Sequence, residues 1–167
     1  MFRTVTPLIL FFYTLTTFAQ QPNPNCDPEK SHQFDFWIGH WKVSSNGSHA
    51  GINRIVPILN GCVLQENWEG ASGNSGTSLN YYNPVEKRWE QFWVWRNGKT
   101  MHLKGDFKDG KMTLLGELES PKGKAQHRIT WTPNPDGTVR QLWESRQDGA
   151  EEWQPLFDGL YTKIGGP

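Results

Sequence analysis

Neither sign of charge is in excess in this sequence: 17 Lys and Arg stand against 17 Asp and Glu over 167 residues. A polyanion-binding surface needs a basic stripe. Here the basic residues are scattered singly, and Lys87-Arg88, next to the turn at Pro84, is the one adjacent pair. Nucleic acid is therefore not an expected partner. Long apolar runs are missing beyond Phe18, so no later segment is predicted to span a bilayer, which takes about 20 apolar residues. Cysteine is limited to Cys26 and Cys62, without a Cys-x-x-Cys pair, and the five histidines show neither His-x-His nor His-Glu-x-x-His spacing. Zinc and haem thus have no motif behind them, and no cofactor is expected. The run Gly73-Asn74-Ser75-Gly76 is not the strained Gly-x-Ser-x-Gly elbow of a hydrolase. That glycine-rich stretch also lacks the Lys-Ser/Thr ending of a phosphate loop.

What the chain does have begins at its N-terminus. Arg3, an apolar run over residues 5–12, a mixed stretch to Phe18 and then Ala19 form the pattern of a secretory signal peptide cut ahead of Gln20. At roughly 15 apolar-leaning residues including Pro7, the run is short for a membrane helix. The expected division is a leader over 1–19, an N-terminal arm over 20–33 and one domain over 34–167, exported to the periplasm or secreted. Cys26 follows Asn23, Pro24 and Asn25 rather than small apolar residues, which argues against a lipoprotein. In an oxidising compartment Cys26 and Cys62 are expected to bridge.

From Asp35 onward, turn signals recur about every 10–13 residues, the spacing of an all-β barrel or sandwich. They include Asn46-Gly47, Asn60-Gly61, the loop 70–76, Asn97-Gly98, Asp109-Gly110, Asp136-Gly137 and Asp148-Gly149. Asn-Gly and Asp-Gly supply the positive φ that a type I′ hairpin needs. The intervals give about ten strands, at 35–45, 50–59, 62–69, 77–82, 88–96, 99–107, 111–119, 125–132, 138–146 and 152–163. The predicted fold is an all-β, antiparallel up-and-down β-barrel, closed so that no edge is left exposed.

Period-two alternation predicts the inward faces. Met101, Leu103 and Phe107 share one, as do Met112, Leu114 and Leu118, Ile129 with Trp131, and Trp153 with Phe157 and Tyr161. Trp89, Gln91, Trp93 and Trp95 also fall together. Large indoles alternate with polar groups on these faces: Glu66 with Trp68, Gln91 with Trp93, Gln141 with Trp143, with Asn80 and Trp131 on neighbouring strands. Such a wall suits a mostly apolar cavity with a few orienting groups. The alternative is a solid core in which the polar groups satisfy the indole N–H donors. The loop 70–76 is expected to act as a mobile rim over the cavity mouth.

The run Gln33-Phe34-Asp35-Phe36-Trp37-Ile38-Gly39-His40-Trp41, with Ile58 to Trp68, Trp89 to Val94, Arg128 to Pro133 and Arg140 to Glu144, resembles the DUF1579 family of bacterial exported proteins of unassigned function. The resemblance covers nearly all of the chain after the leader. It implies a lipocalin-like barrel of the calycin type, in which the Gly-x-Trp step at Gly39 to Trp41 seals the closed end. His40 stands where the family pattern leads us to expect an acidic residue. No reaction comes with the resemblance. The expected function is binding of a small apolar or amphipathic molecule, with Glu66, Trp68, Asn80, Gln91, Trp93, Trp131, Gln141 and Trp143 as the contact residues. Two alternatives stand beside it. One is an isomerase or hydrolase using Glu66 or Glu144 as general acid/base, and the other is an interaction module with a filled barrel.

Overall fold

Short alternating runs punctuated by tight turns give ten strands: β1 (Gly39–Ser45), β2 (Ser48–Ile58), β3 (Val63–Gly70), β4 (Ser75–Asn83), β5 (Arg88–Trp95), β6 (Thr100–Lys108), β7 (Lys111–Ser120), β8 (Gly123–Pro133), β9 (Val139–Gln147) and β10 (Gln154–Gly165). The structure, a computed structural model, describes residues 26–120 and 123–167. The expected leader over 1–19 and residues 20–25 of the arm lie outside the described residues. Each strand pairs antiparallel with its sequence neighbours, and β1 also pairs with β10, Trp41 opposite Lys163 and Ser45 opposite Gly159, so the sheet closes into a barrel. Closure satisfies the backbone groups that edge strands would leave open. Among the described residues, no helix is long and apolar enough to cross a membrane.

Four of the hairpin turns use two solutions. At Asn46-Gly47 and Asp109-Gly110 both residues have positive φ, the type I′ geometry expected from those dipeptides. At Asn97-Gly98 and Asp136-Gly137 the glycine alone is positive. There Trp95 and Asn134 each accept a bond from the glycine N–H and donate to the residue after it, as in a type I turn closed by a glycine bulge.

Alternation places the side chains as expected over most of the barrel. Met101, Leu103, Met112, Leu114, Ile129, Trp131 and Tyr161 are buried inside it. Trp153 is a correction. It precedes β10, and a register shift between Pro155 and Phe157 resets the parity, so its ring lies on the outer surface with the Arg128 and Arg146 guanidinium carbons 4.4 and 4.9 Å from its centroid. The loop 70–76 is a tight turn, with Gly70 N–H bonding Asn74 O and Arg96 Nη1 bonding Gly73 O; β4 begins at Ser75, and Asn74 lies at the rim of the barrel interior.

The aromatic stretch before Gly39 is a second correction. Instead of opening the first strand, Asp35–Trp37 form one turn of 3-10 helix, which carries the chain across the end of the barrel. Phe34 and Trp37 lie three residues apart on one side of that turn and are fully buried. Phe34 stacks on Trp37 at 4.9 Å and meets Trp89 and Trp131 edge to face at 5.7 and 5.2 Å. Trp41 donates its indole N–H to Trp37 O at 2.8 Å, and Trp89 donates to Gln33 Oε1. These rings are the floor of the barrel.

Cys26 and Cys62 form a disulfide across 36 residues, tying the arm to the turn before β3. A loop of that length is worth about 4 kcal/mol in the chain-entropy treatment. Burial of Phe34 and Trp37 contributes about 2–3 kcal/mol for each ring, so the arm has two anchors of similar strength. Cys26→Ser is therefore expected to lower the denaturation free energy by about 2–4 kcal/mol while leaving the near-ultraviolet dichroism of the floor indoles intact. Loss of that signal in native buffer would show that the rings alone do not hold the arm.

Candidate functional site

The alternating ends of a meander give the barrel two different mouths. The arm, the β2–β3 turn and the aromatic floor occupy one end. At the other, where β3 turns into β4, β5 into β6 and β9 into β10, the interior opens into a cavity of about 280 Å³. This is just below the range of about 300–1,000 Å³ typical of ligand pockets. Its upper wall is aromatic. Trp93 and Trp95 meet at 83° with centroids 5.8 Å apart, Trp95 lies 6.5 Å from Trp143, and Trp68 meets Phe157 at 6.3 Å. Two strand glycines let these rings lie flat against the wall: a Cβ on Gly51 would come within 2.6 Å of the Trp68 ring, and one on Gly76 within 2.4 Å of the Trp93 ring.

The base of the cavity is polar. Gln91 Nε2 donates to Asn80 Oδ1 at 2.8 Å, Asn80 Nδ2 to Ser78 Oγ at 2.9 Å, and Ser78 Oγ to Glu66 Oε2 at 2.6 Å. On its other side Glu66 Oε1 accepts from Asn53 Nδ2 at 2.7 Å, Asn53 Nδ2 also reaches the Tyr161 hydroxyl at 3.3 Å, and Tyr161 donates to Gln141 Oε1. The result is one hydrogen-bonded belt running from β5 through β4, β3, β2 and β10 to β9. These polar groups bond to one another and not to the indoles. Trp93 Nε1 and Trp131 Nε1 are buried without a partner among the described residues, and Trp143 donates to His127 Nδ1 at 2.9 Å. The solid-core alternative, in which Glu66, Gln91 and Gln141 serve the indole N–H groups, does not describe this interior.

Of the residues singled out in the sequence, Glu66, Trp68, Gln91, Trp93, Gln141 and Trp143 line the cavity. Asn80 does not; it is fully buried behind Gln91 and Ser78. Trp131 also does not, because it packs against Phe34 and Trp37 in the floor. Glu144 is on the outer face, 2.8 Å from Arg128, and is removed from the cavity as a candidate acid/base. Asn53 and Ser78, which hold both oxygens of Glu66, carry no sequence signal beyond an inward parity.

A second buried carboxylate, Glu90, faces outward from β5 and is covered by its neighbours. Asn83 and His102 bond it at 2.6 Å each and Tyr81 at 3.2 Å. Burial alone would raise its pKa, but these bonds and the Lys104 charge outweigh that and leave it lowered. A broad groove of about 830 Å³ runs beside it over β6 and β7. Its lining sets Arg88, Lys104, Lys108 and Lys111 against Asp106 and Asp109, an excess of positive charge. Among the described residues, no three His, Cys, Asp or Glu side chains are placed to hold a metal ion. No family model matches the chain, and no curated protein matches it in sequence.

The distinctive group of the interior is Glu66, 4 % exposed. Burial pushes its carboxyl from 4.5 up to about 7, against the opposing pull of the Ser78 and Asn53 bonds. Tyr161, beside it in the belt, is raised well above its ordinary value by burial first and by the Glu66 charge second. A raised carboxyl means that between pH 4.5 and about 7 the folded protein keeps a proton the unfolded chain has lost. Stability therefore falls as pH rises through that window and levels off above it, by about 3 kcal/mol in all. Glu66→Gln should remove this component. Urea denaturation at about pH 5 and about pH 8 should show the wild type losing up to ~3 kcal/mol more than the variant, and parallel losses would show that the carboxyl is solvated.

Proposed function

We propose that this chain is an exported carrier barrel that holds one small amphipathic molecule in the cavity above the aromatic floor. The observation that carries the reading is the division of the cavity into an indole wall at its mouth and a hydrogen-bonded polar belt at its base. A ligand with an apolar body and one polar end fits that division, since apolar contact area supplies affinity and a few fixed polar groups supply orientation. The disulfide supports export, because such bridges persist in oxidising compartments. Membership of the DUF1579 family, with its lipocalin-like architecture, is part of the same proposal.

A filled interaction module is disfavoured by the internal volume of about 280 Å³. Acid/base catalysis is the second reading, favoured by one observation: Glu66 lines the cavity with a pKa of about 7, where proton transfer in either direction is accessible at neutral pH.

With Trp68, Trp93, Trp95 and Trp143 around the cavity, an occupant must perturb indole fluorescence. Titration with a panel of small aromatic, terpenoid and short-chain amphipathic compounds should give saturable quenching at one site. Gln141→Leu, which removes the polar end of the belt, should weaken binding of the responding compounds by about tenfold, the worth of one hydrogen bond of about 1–1.5 kcal/mol. An absence of saturable response across the panel would refute the carrier reading.

A further inference from the structure

The inner face of the barrel carries a carboxylate without a protein counter-charge. Glu66 accepts one bond on each oxygen, and both donors, Asn53 and Ser78, are neutral. Among the described residues, no Lys, Arg or His forms an ion pair with it; the ion pairs of Glu90, Glu144 and Asp158 all lie on the outer face. A buried carboxylate is ordinarily matched by a cation or held protonated. A carboxylate has about four acceptor sites, so the two bonds leave acceptor capacity in a group that lines the cavity.

Among the described residues, nothing else facing the interior supplies positive charge. Tyr161 on β10 stays protonated and neutral through burial. His127 on β8 accepts the Trp143 N–H on Nδ1 and its pKa is lowered by burial, which keeps it neutral. Lys163 lies at the sealed end, exposed, with its Nζ 5.2 Å from the Trp41 ring centroid. The strands beside Glu66 turn neutral groups toward it: Asn53 and Ile55 on β2, Ser78 and Asn80 on β4. Gln91 and Gln141 complete the belt, while β1, β6 and β7 contribute Trp41, Val43, Met101, Leu103 and Leu114.

Above this negative site stand the rings of Trp68, Trp93, Trp95, Trp143 and Phe157. Indole faces carry negative electrostatic potential and attract organic cations, the physical basis of aromatic cages for ammonium groups. The wall and the base therefore share one electrostatic preference.

We propose that the ligand is an organic ammonium, a small amine whose cationic nitrogen is received at Glu66 and whose apolar body lies among the indoles. This rests on the carrier reading and narrows it to one class of ligand. Below neutral pH the step balances as exchange: the ammonium enters, the Glu66 carboxylic acid gives up its proton to solvent, and a carboxylate–ammonium pair remains. The pair replaces the absent counter-charge, so affinity must rise with pH until Glu66 is ionised.

Three probes of similar shape separate the possibilities: phenethylamine, phenethyl alcohol and 3-phenylpropanoate, titrated calorimetrically into the intact protein. The ammonium should bind at least about tenfold more tightly than the alcohol at about pH 7.5, and the anion should not bind. Its affinity should fall about tenfold or more by about pH 5.5, with buffer-dependent heats showing release of close to one proton at the lower pH. Glu66→Gln should erase the preference for the ammonium over the alcohol. Should the alcohol bind as tightly as the ammonium, or the ammonium bind without proton release, the cation assignment fails while the carrier reading stands. Should none of the three bind, the cation assignment fails and the carrier reading fails with it for molecules of this size.

Discussion

A ten-stranded barrel is wide, and the rest of this structure follows from what must be done with its width. Eight strands give an interior that side chains can fill, and added strands enlarge the diameter roughly in proportion. This chain fills the excess at one end and leaves it at the other. The filling is the work of the largest side chains available, Trp37, Trp41, Trp89 and Trp131, all fully buried, and it requires ring area from outside the wall. Phe34 and Trp37 come from the 3-10 turn that joins the arm to β1, not from a strand. The arm is thus a stopper that makes a tube into a cup.

The open half obeys a different constraint. With the floor sealed, side chains toward the mouth must either span the remaining space or line it. The wall indoles line it, held against the sheet by close approach to glycines. Beneath them the polar residues are largely withdrawn from water and bond to one another in the belt from Gln91 to Gln141, with Asn53 Oδ1 left without a partner among the described residues. A cooperative network of this kind fixes its members in place. The belt also explains why Glu66 can be buried at all. Its two hydrogen bonds offset part of the desolvation cost, and the remainder appears as a carboxyl that titrates near neutrality.

Much of the scaffold was legible in the sequence because period-two alternation and turn chemistry are local signals. The expected strands and the observed ones overlap throughout, and the inward faces of β6, β7 and β8 follow directly from Met101, Met112 and Ile129. What failed was non-local. Phe34, Phe36 and Ile38 alternate as a strand would, yet the segment folds as a 3-10 turn because burying Phe34 and Trp37 together in the floor outweighs adding to the wall. Trp153 was misplaced because a bulge shifts parity without leaving a mark in the pattern. Among the site residues, Glu66, Gln91 and Gln141 could be read from their alternation with tryptophan. The roles of Asn53 and Ser78 could not, since pairing with Glu66 depends on the registers of β2 and β4 against β3. Trp131 shares its strand face with cavity residues and differs from them only in depth along the barrel, which a one-dimensional pattern does not encode.

The barrel is sealed at the arm and hollow at the mouth, and the exchange rates of the indole N–H protons, measured by NMR, distinguish the two ends. The floor indoles of Trp37, Trp41, Trp89 and Trp131 should exchange only through global unfolding, whereas those of Trp68 and Trp95 at the mouth should exchange faster through the native state. Uniformly slow exchange of all of these indoles would mean a filled barrel, and fast exchange at Trp37 and Trp131 would mean an unsealed one.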